Sequence, residues 1–302
     1  MHLFAEATTK FTLELYWQLR ETEKNIFCSP TSIMAALAML ELGAKGNTKQ
    51  QIEKVLQFNG ATKKTTEKST DCHDEKSESV HHQFQQLMTQ VNKPNDAYDL
   101  KSANSIYGAK DFPFLQNSSK PVQMMKQRSN FNINLLEDVQ AKIVEIPYKG
   151  KELSMFILLP DEIDGLKKLE DKLTADKLIE WASPQNMYKV ELYLSLPRFK
   201  VEEKYDLTAP LEHMGMVDAF NPQKADFSGM SGSQGLSVTK VLHKSFVEVT
   251  EEGTEAAAAT GVEVSLTSAL RNEVITCDHP YLFFIKHRKF NTIFFLGRMV
   301  CP

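Results

Sequence analysis

Thr250-Glu251-Glu252-Gly253-Thr254-Glu255-Ala256-Ala257-Ala258-Ala259-Thr260-Gly261-Val262-Glu263-Val264-Ser265-Leu266-Thr267-Ser268-Ala269-Leu270-Arg271 does not read as part of a packed core. It follows a β-compatible run, Lys244 to Val249, and precedes two apolar runs, Tyr281 to Ile285 and Thr292 to Leu296, joined by a polar turn. The stretch is too long for an ordinary connection. Three physical readings fit it. It can be a surface linker, or a short helix, because alanine is the best helix former. It can also be a loop able to become a strand, since small side chains slide between existing strands without clashes. Gly253 would be the pivot, and an extended Gly253–Thr267 would span roughly 50 Å at ~3.3 Å per residue.

Working outward, the N-terminal part is helical. Phe11, Leu13, Leu15 and Leu19 fall at helical spacing over residues 7–20. Ser29-Pro30 opens a second helix, with Ser29 as cap and Pro30 at the first position. The run Ile33 to Leu40 is apolar nearly all round, which predicts a helix buried on every side. Gly43 or Gly46 can end it. Thr48 to Leu56 reads as a third, amphipathic helix. Residues 58–80 hold almost no apolar side chain and read as a mobile polar loop. Helical spacing resumes from His81 to Val91.

The rest is largely strand-like. Lys142 to Pro147 and Leu153 to Leu159 flank a Lys149-Gly150 turn. Leu166–Leu173 and Ala175–Trp181 read as short helices, and Val190, Leu192, Leu194 and Leu196 alternate with polar residues as in a half-buried strand. Helices first and strands later imply an α+β fold with large antiparallel or mixed sheets.

Composition excludes several classes. The chain of 302 residues is 42% hydrophobic with a net charge of −4, which gives no electrostatic footprint for nucleic acid. No apolar run approaches the ~20 residues of a membrane span, so neither nucleic acid nor membrane is expected as a partner. Met1 to Lys10 lacks the basic and apolar regions of a secretory leader, so Cys28, Cys72, Cys277 and Cys301 are expected as reduced thiols. Asn117-Ser118-Ser119 is then a chance glycosylation match. Cys72, His73, His81 and His82 fit no zinc spacing, and Gly229 to Gly235 matches neither a nucleophile elbow nor a phosphate loop. Asp161-Glu162 reads as a turn, not as an acid–base pair. No catalytic residue, metal or cofactor is expected, and the chain does not read as an enzyme.

Four motifs carry a family resemblance. Glu251 to Thr260 resembles the hinge of inhibitory serpins, and Asp278-His279-Pro280-Tyr281-Leu282-Phe283-Phe284-Ile285 resembles the serpin C-terminal signature, with tyrosine where phenylalanine is usual. Asn25-Ile26-Phe27-Cys28-Ser29-Pro30 resembles the serpin entry to its second helix, and Leu242-His243-Lys244 the strand that leads to the hinge. The likeness covers nearly the whole chain, in order and spacing, and points to the intracellular, ovalbumin-type branch. It implies one serpin domain over 1–302: a large mixed sheet, two further sheets, surrounding helices and an exposed reactive-centre loop over 250–273. It implies a suicide-substrate inhibitor of endopeptidases. The hinge is Glu251, Gly253, Thr254, Glu255, Ala256, Ala257, Ala258, Ala259 and Thr260, with Ser29 and His243 forming a gate. Counting from the hinge puts the reactive bond at Thr267–Ser268; counting back from Cys277 puts it at Leu266–Thr267. The first count suits papain-like cysteine proteases, the second a chymotrypsin-like serine protease. A cytoplasmic location follows, with extracellular release that needs no leader as a second one.

The chain also departs from the family. Phe114-Leu115-Gln116 runs straight into Asn117-Ser118-Ser119, where serpins carry a long block containing the third strand of the main sheet. A break at 116/117 would leave the loop one flanking strand, Val238 to Val249, and would remove the asparagine that faces His243. An impaired or non-inhibitory form, prone to self-association through bare strand edges, is the second expectation.

Overall fold

The structure is a computed structural model that describes residues 2–20, 24–58, 82, 85–87, 89, 122–231, 235–250 and 273–300. The polar stretch at 59–80, the 116/117 junction and residues 251–272 lie outside the described residues.

The architecture is α+β. Helices α1 (His2–Leu19), α2 (Pro30–Gly43) and α3 (Gly46–Val55) come first, with the short strand β1 (Ile26–Cys28) between α1 and α2. Strands β2 (Met124–Leu136), β3 (Ala141–Pro147) and β4 (Leu153–Pro160) follow. Next come helices α4 (Leu166–Asp171) and α5 (Ala175–Trp181), strands β5 (Tyr188–Pro197) and β6 (Phe199–Asp206), and helix α6 (Thr208–His213). Strands β7 (Leu242–Val249), β8 (Glu273–Thr276), β9 (Tyr281–His287) and β10 (Thr292–Met299) complete the chain. Among the described residues the strands form an eight-stranded sheet in the order β1-β10-β9-β4-β3-β2-β5-β8 and a separate pair, β6-β7. The large sheet is mixed: β8 runs parallel to β5, and every other pairing is antiparallel.

Local chemistry sets the element ends as expected. The Ser29 hydroxyl accepts from the Ser32 N–H at the start of α2, and Pro30 occupies its first turn. Thr174 caps α5 in the same way. Gly150, at φ 75°, makes the turn between β3 and β4, a left-handed conformation that favours glycine. The expected β9–β10 hairpin is present, its register shifted once by a bulge between Ile293 and Phe295.

Strands β4, β9 and β10 are buried on both faces along their whole length. Their sequences are therefore near-continuous apolar runs with no alternation. Between them sits a stack of rings: Phe27 against Phe295 at 5.3 Å and Phe283 at 6.0 Å, Phe156 against Phe284 at 4.9 Å, and Phe199 from β6 on Phe283 at 5.3 Å. Gly297 of β10 lies so close to the Phe283 ring that an added Cβ would fall 2.2 Å from it. Buried charges are paired. Glu170 accepts from the Tyr16 hydroxyl, lies 3.2 Å from Arg298 Nε and 3.3 Å from Arg20, and so ties α1, α4 and β10 together. Lys286 donates to the Ala182 carbonyl at 3.2 Å and lies over the Phe156 ring; burial lowers its pKa to about 8.

Two expectations need correction. Helix α2 is not buried all round: Met39 is 68% and Leu42 66% exposed. Its main neighbours among the described helices and strands are α1, α3 and β10, which leave one apolar face uncovered. The strand before the hinge begins at Leu242, not at Val238, because Val238 instead donates its N–H to the Ala219 carbonyl in a loop. Of the helical stretch from His81 to Val91, residues 82, 85–87 and 89 are helical and the others lie outside the described residues.

Tyr281 is 1% exposed and its hydroxyl has no hydrogen-bond partner among the described residues. Tyr281→Phe is expected to stabilise the chain by about 1 kcal/mol in urea unfolding, because a buried unsatisfied hydroxyl disappears without a cavity. Gly297→Ala is expected to destabilise by about 1–3 kcal/mol in the same assay, since the methyl meets the Phe283 ring.

Candidate functional site

Strand β1 is the last strand of the large sheet, and among the described residues only one of its edges pairs with a strand. Residues Ile26, Phe27 and Cys28 are in register with Arg298, Gly297 and Leu296 of β10. The backbone of Phe27 satisfies its hydrogen bonds on the other side, against side chains of the small sheet. Its N–H donates to the Tyr205 hydroxyl at 3.2 Å, and its carbonyl accepts from the Ser245 hydroxyl. Two residues on, the Ser29 N–H donates to His243 Nε2 at 2.9 Å. The Ser29 hydroxyl donates to the Phe294 carbonyl at 2.9 Å and Thr31 to the Ile293 carbonyl at 2.6 Å, fastening the start of α2 to β10.

This arrangement follows from strand periodicity. His243 and Ser245 are two apart on β7, so both point to the same, buried face. Tyr205 sits directly opposite His243 in the β6–β7 register. Three polar side chains from one small sheet thus stand in for the strand that β1 lacks.

The chemistry of His243 is constrained further. Because Nε2 accepts a backbone N–H, the neutral ring carries its proton on Nδ1. That atom is buried and has no partner among the described residues. Burial lowers the pKa of His243 to about 4. An acceptor should face Nδ1. Strand β7 pairs only with β6 among the described residues, so its other edge carries no strand there.

Ser29 and His243, expected together, are therefore in contact. Glu251, Gly253, Thr254, Glu255, Ala256, Ala257, Ala258, Ala259 and Thr260, and the bond residues Leu266, Thr267 and Ser268, lie outside the described residues. Their tethers are described. The segment leaves from β7 of the small sheet and re-enters at β8, an edge of the large one.

The family model described as "Serpin (serine protease inhibitor)" matches the chain over residues 6–117 and 111–302. This chain belongs to the serpin family. Among curated relatives, human Serpin B4 is 46% identical over 391 aligned positions and human Serpin B3 44% over 393, each covering all of both chains. The horse leukocyte elastase inhibitor is 35% identical with the same coverage. Uncleaved ovalbumin matches in structure with a TM-score of 0.80 at 27% identity, covering 99% of this chain and 100% of that one. The alignment to Serpin B4 spans 391 positions against 302 residues here, so at least 89 of them hold no residue of this serpin.

Tyr205, Ser245 and Thr31 were not singled out from the sequence. The signal present there was polar residues on the inward face of β7, where a plain core strand would carry apolar ones.

The pH response of this serpin follows from His243. Its folded pKa lies below the unfolded value near 6.5, so the unfolded chain binds a proton that the folded chain refuses. The contribution is intact above about pH 6.5 and is lost as pH falls towards 4, at about 1.4 kcal/mol per unit. His287, whose pKa burial also lowers, acts in the same direction. Urea unfolding at pH 7, 6 and 5 should show this slope, and His243→Asn should flatten it by roughly 1 kcal/mol per pH unit. An unchanged slope would remove His243 as its cause.

Proposed function

We propose that this serpin offers residues 250–273 as a bait to endopeptidases and completes the trapping step poorly. The protease nucleophile, a serine or cysteine, adds to the carbonyl of Thr267, or of Leu266 on the alternative count. The peptide bond breaks, the new amine at Ser268 or Thr267 takes the proton, and an ester or thioester joins protease to loop. Family membership and the inhibitor named among the relatives support the first half of this reading. A cleaved ovalbumin mutant solved in a loop-inserted state, similar at TM-score 0.72 and 26% identity, is the structural precedent for insertion after cleavage.

The single observation behind the second half is the condition of β7. A strand inserted between two neighbours satisfies its N–H and C=O groups alternately on both sides. Beside β7 alone it would satisfy half of them, at about 0.5–1.5 kcal/mol net per bond. The cost of ordering each residue is unchanged. The Nδ1 of His243, without a partner among the described residues, supports the loss of a strand beside β7. The two overlapping family matches, meeting at 111–117, support an internal deletion at 116/117 within one serpin domain. The edge of β7 that carries no strand among the described residues also favours self-association through strand pairing.

Cys28 and Cys277 are free and buried, with their thiols pushed up to about 12 by burial. Such thiols are inert in a reducing compartment, and we place the protein in the cytoplasm.

Incubation with a chymotrypsin-like and a papain-like protease, followed by a denaturing gel and a thermal melt, tests this. The expected result is a chain cut between Leu266 and Ser268, no band at the summed mass, and an unchanged melting temperature. A stable summed-mass band, or a marked rise in melting temperature on cleavage, would show efficient insertion. Absence of any cut in 251–272 would sink the bait reading itself.

A further inference from the structure

Strands β2, β5 and β8 carry a row of side chains that is exposed among the described residues. Arg128 of β2, Tyr193 of β5 and Val274 of β8 lie opposite one another across three strands. Val274 is 62% and Tyr193 38% exposed, large apolar surface at the rim of the sheet. The row is preorganised. The Arg128 guanidinium sits 5.4 Å from the Tyr193 ring centre, and its Nε lies 3.2 Å from Glu191, so the aromatic side chain is held from one side. Tyrosine and arginine are the residue types that dominate binding energy at interfaces, and a side chain already fixed loses little entropy on contact.

We propose that Arg128, Tyr193 and Val274 form a contact strip for the endopeptidase that attacks the bait loop, outside its active-site cleft. This rests on the reading of 250–273 as bait. The chain from Ser268 to Val274 can span at most about 20 Å. A protease is wider than that, so one seated on the reactive bond must lie over or beside β8. The leaving-group side of its cleft would face the strip. The strip is apolar at its centre, with the Arg128 charge offset by Glu191, so it favours proteases presenting an apolar or aromatic residue on that rim. It adds affinity for the intact loop that the cleaved sequence alone does not supply, and it selects among proteases with similar clefts.

The test uses the full chain with Tyr193→Ser and Val274→Ser, singly and together, and Arg128→Gln as a milder variant that leaves the strand pairings in place. The rate of loop cleavage is measured for a chymotrypsin-like and a papain-like enzyme, with a free peptide of residues 255–272 as reference. The double variant is expected to lose about tenfold in kcat/KM with at least one enzyme, through KM, as truncation of a hot-spot pair should give. Cleavage of the peptide and the melting temperature of each variant should not change. Wild-type rates in all variants with every enzyme that cuts the loop would overturn the strip while leaving the bait intact. A change in oligomeric state without a change in cleavage would overturn it in favour of a second copy. No cleavage of the loop by either enzyme would remove the bait reading, and the strip with it.

Discussion

The backbone of Phe27 is the hinge-pin of this molecule. On one side β1 pairs with β10 and so belongs to the large sheet. On the other side Phe27 is bonded by Tyr205 and Ser245, and the nearby Ser29 by His243, all from the small sheet. An isolated two-stranded ribbon is marginal in water. The β6–β7 pair gains its permanence from those side-chain bonds and from Phe199 packed on Phe283. Beyond its pairing with β6, β7 is tied to the large sheet through this contact with β1.

That dependence explains the polar content of an otherwise dry region. A buried imidazole that accepts one backbone N–H and leaves its second nitrogen without a partner costs stability, as does the Tyr281 hydroxyl. His287 shows the same pattern: Nδ1 accepts from the Phe290 N–H, and Nε2 has no partner among the described residues. Three such groups in a domain of this size reduce a margin that is only ~5–15 kcal/mol in ordinary proteins. Those at His287 and Tyr281 lie in the core, flanked by the rings of Phe290, Phe294 and Phe283. The one at His243 lies at the open edge of the small sheet. Only there, among the described residues, does the unpartnered nitrogen belong to a strand with one unpaired edge.

Much of the fold was legible because its signals are local. Ser29-Pro30 fixes a helix start through one side-chain oxygen and one ring, and the β9–β10 hairpin shows itself as two apolar runs around a polar turn. Strand β2 escaped because only Phe131 and Ile133 alternate, while Met124 to Asn130 faces solvent at every other position. Strand β8 is four residues long and pairs on one side, too little for periodicity to register. The exposure of α2 could not be read from α2, since an apolar surface names no partner. Of the site, the Ser29–His243 contact was reachable only through the family likeness, because their sequence separation leaves no local trace. Tyr205 and Ser245 depend on register across two strands, which residue type alone does not set.

The two ends of the segment proposed as bait are anchored unequally. Its N-terminal end continues β7, held by one strand and a few side chains; its C-terminal end enters β8, which is short but joined to the large sheet through β5. Regions of few buried contacts open at lower free energy than the global unfolding. By that measure β8, with four paired residues against the eight of β7, is the weaker of the two anchors. On the proposed reading, a cut segment laid beside β7 meets no second strand among the described residues, and so gains about half the backbone bonds that a strand between two neighbours makes.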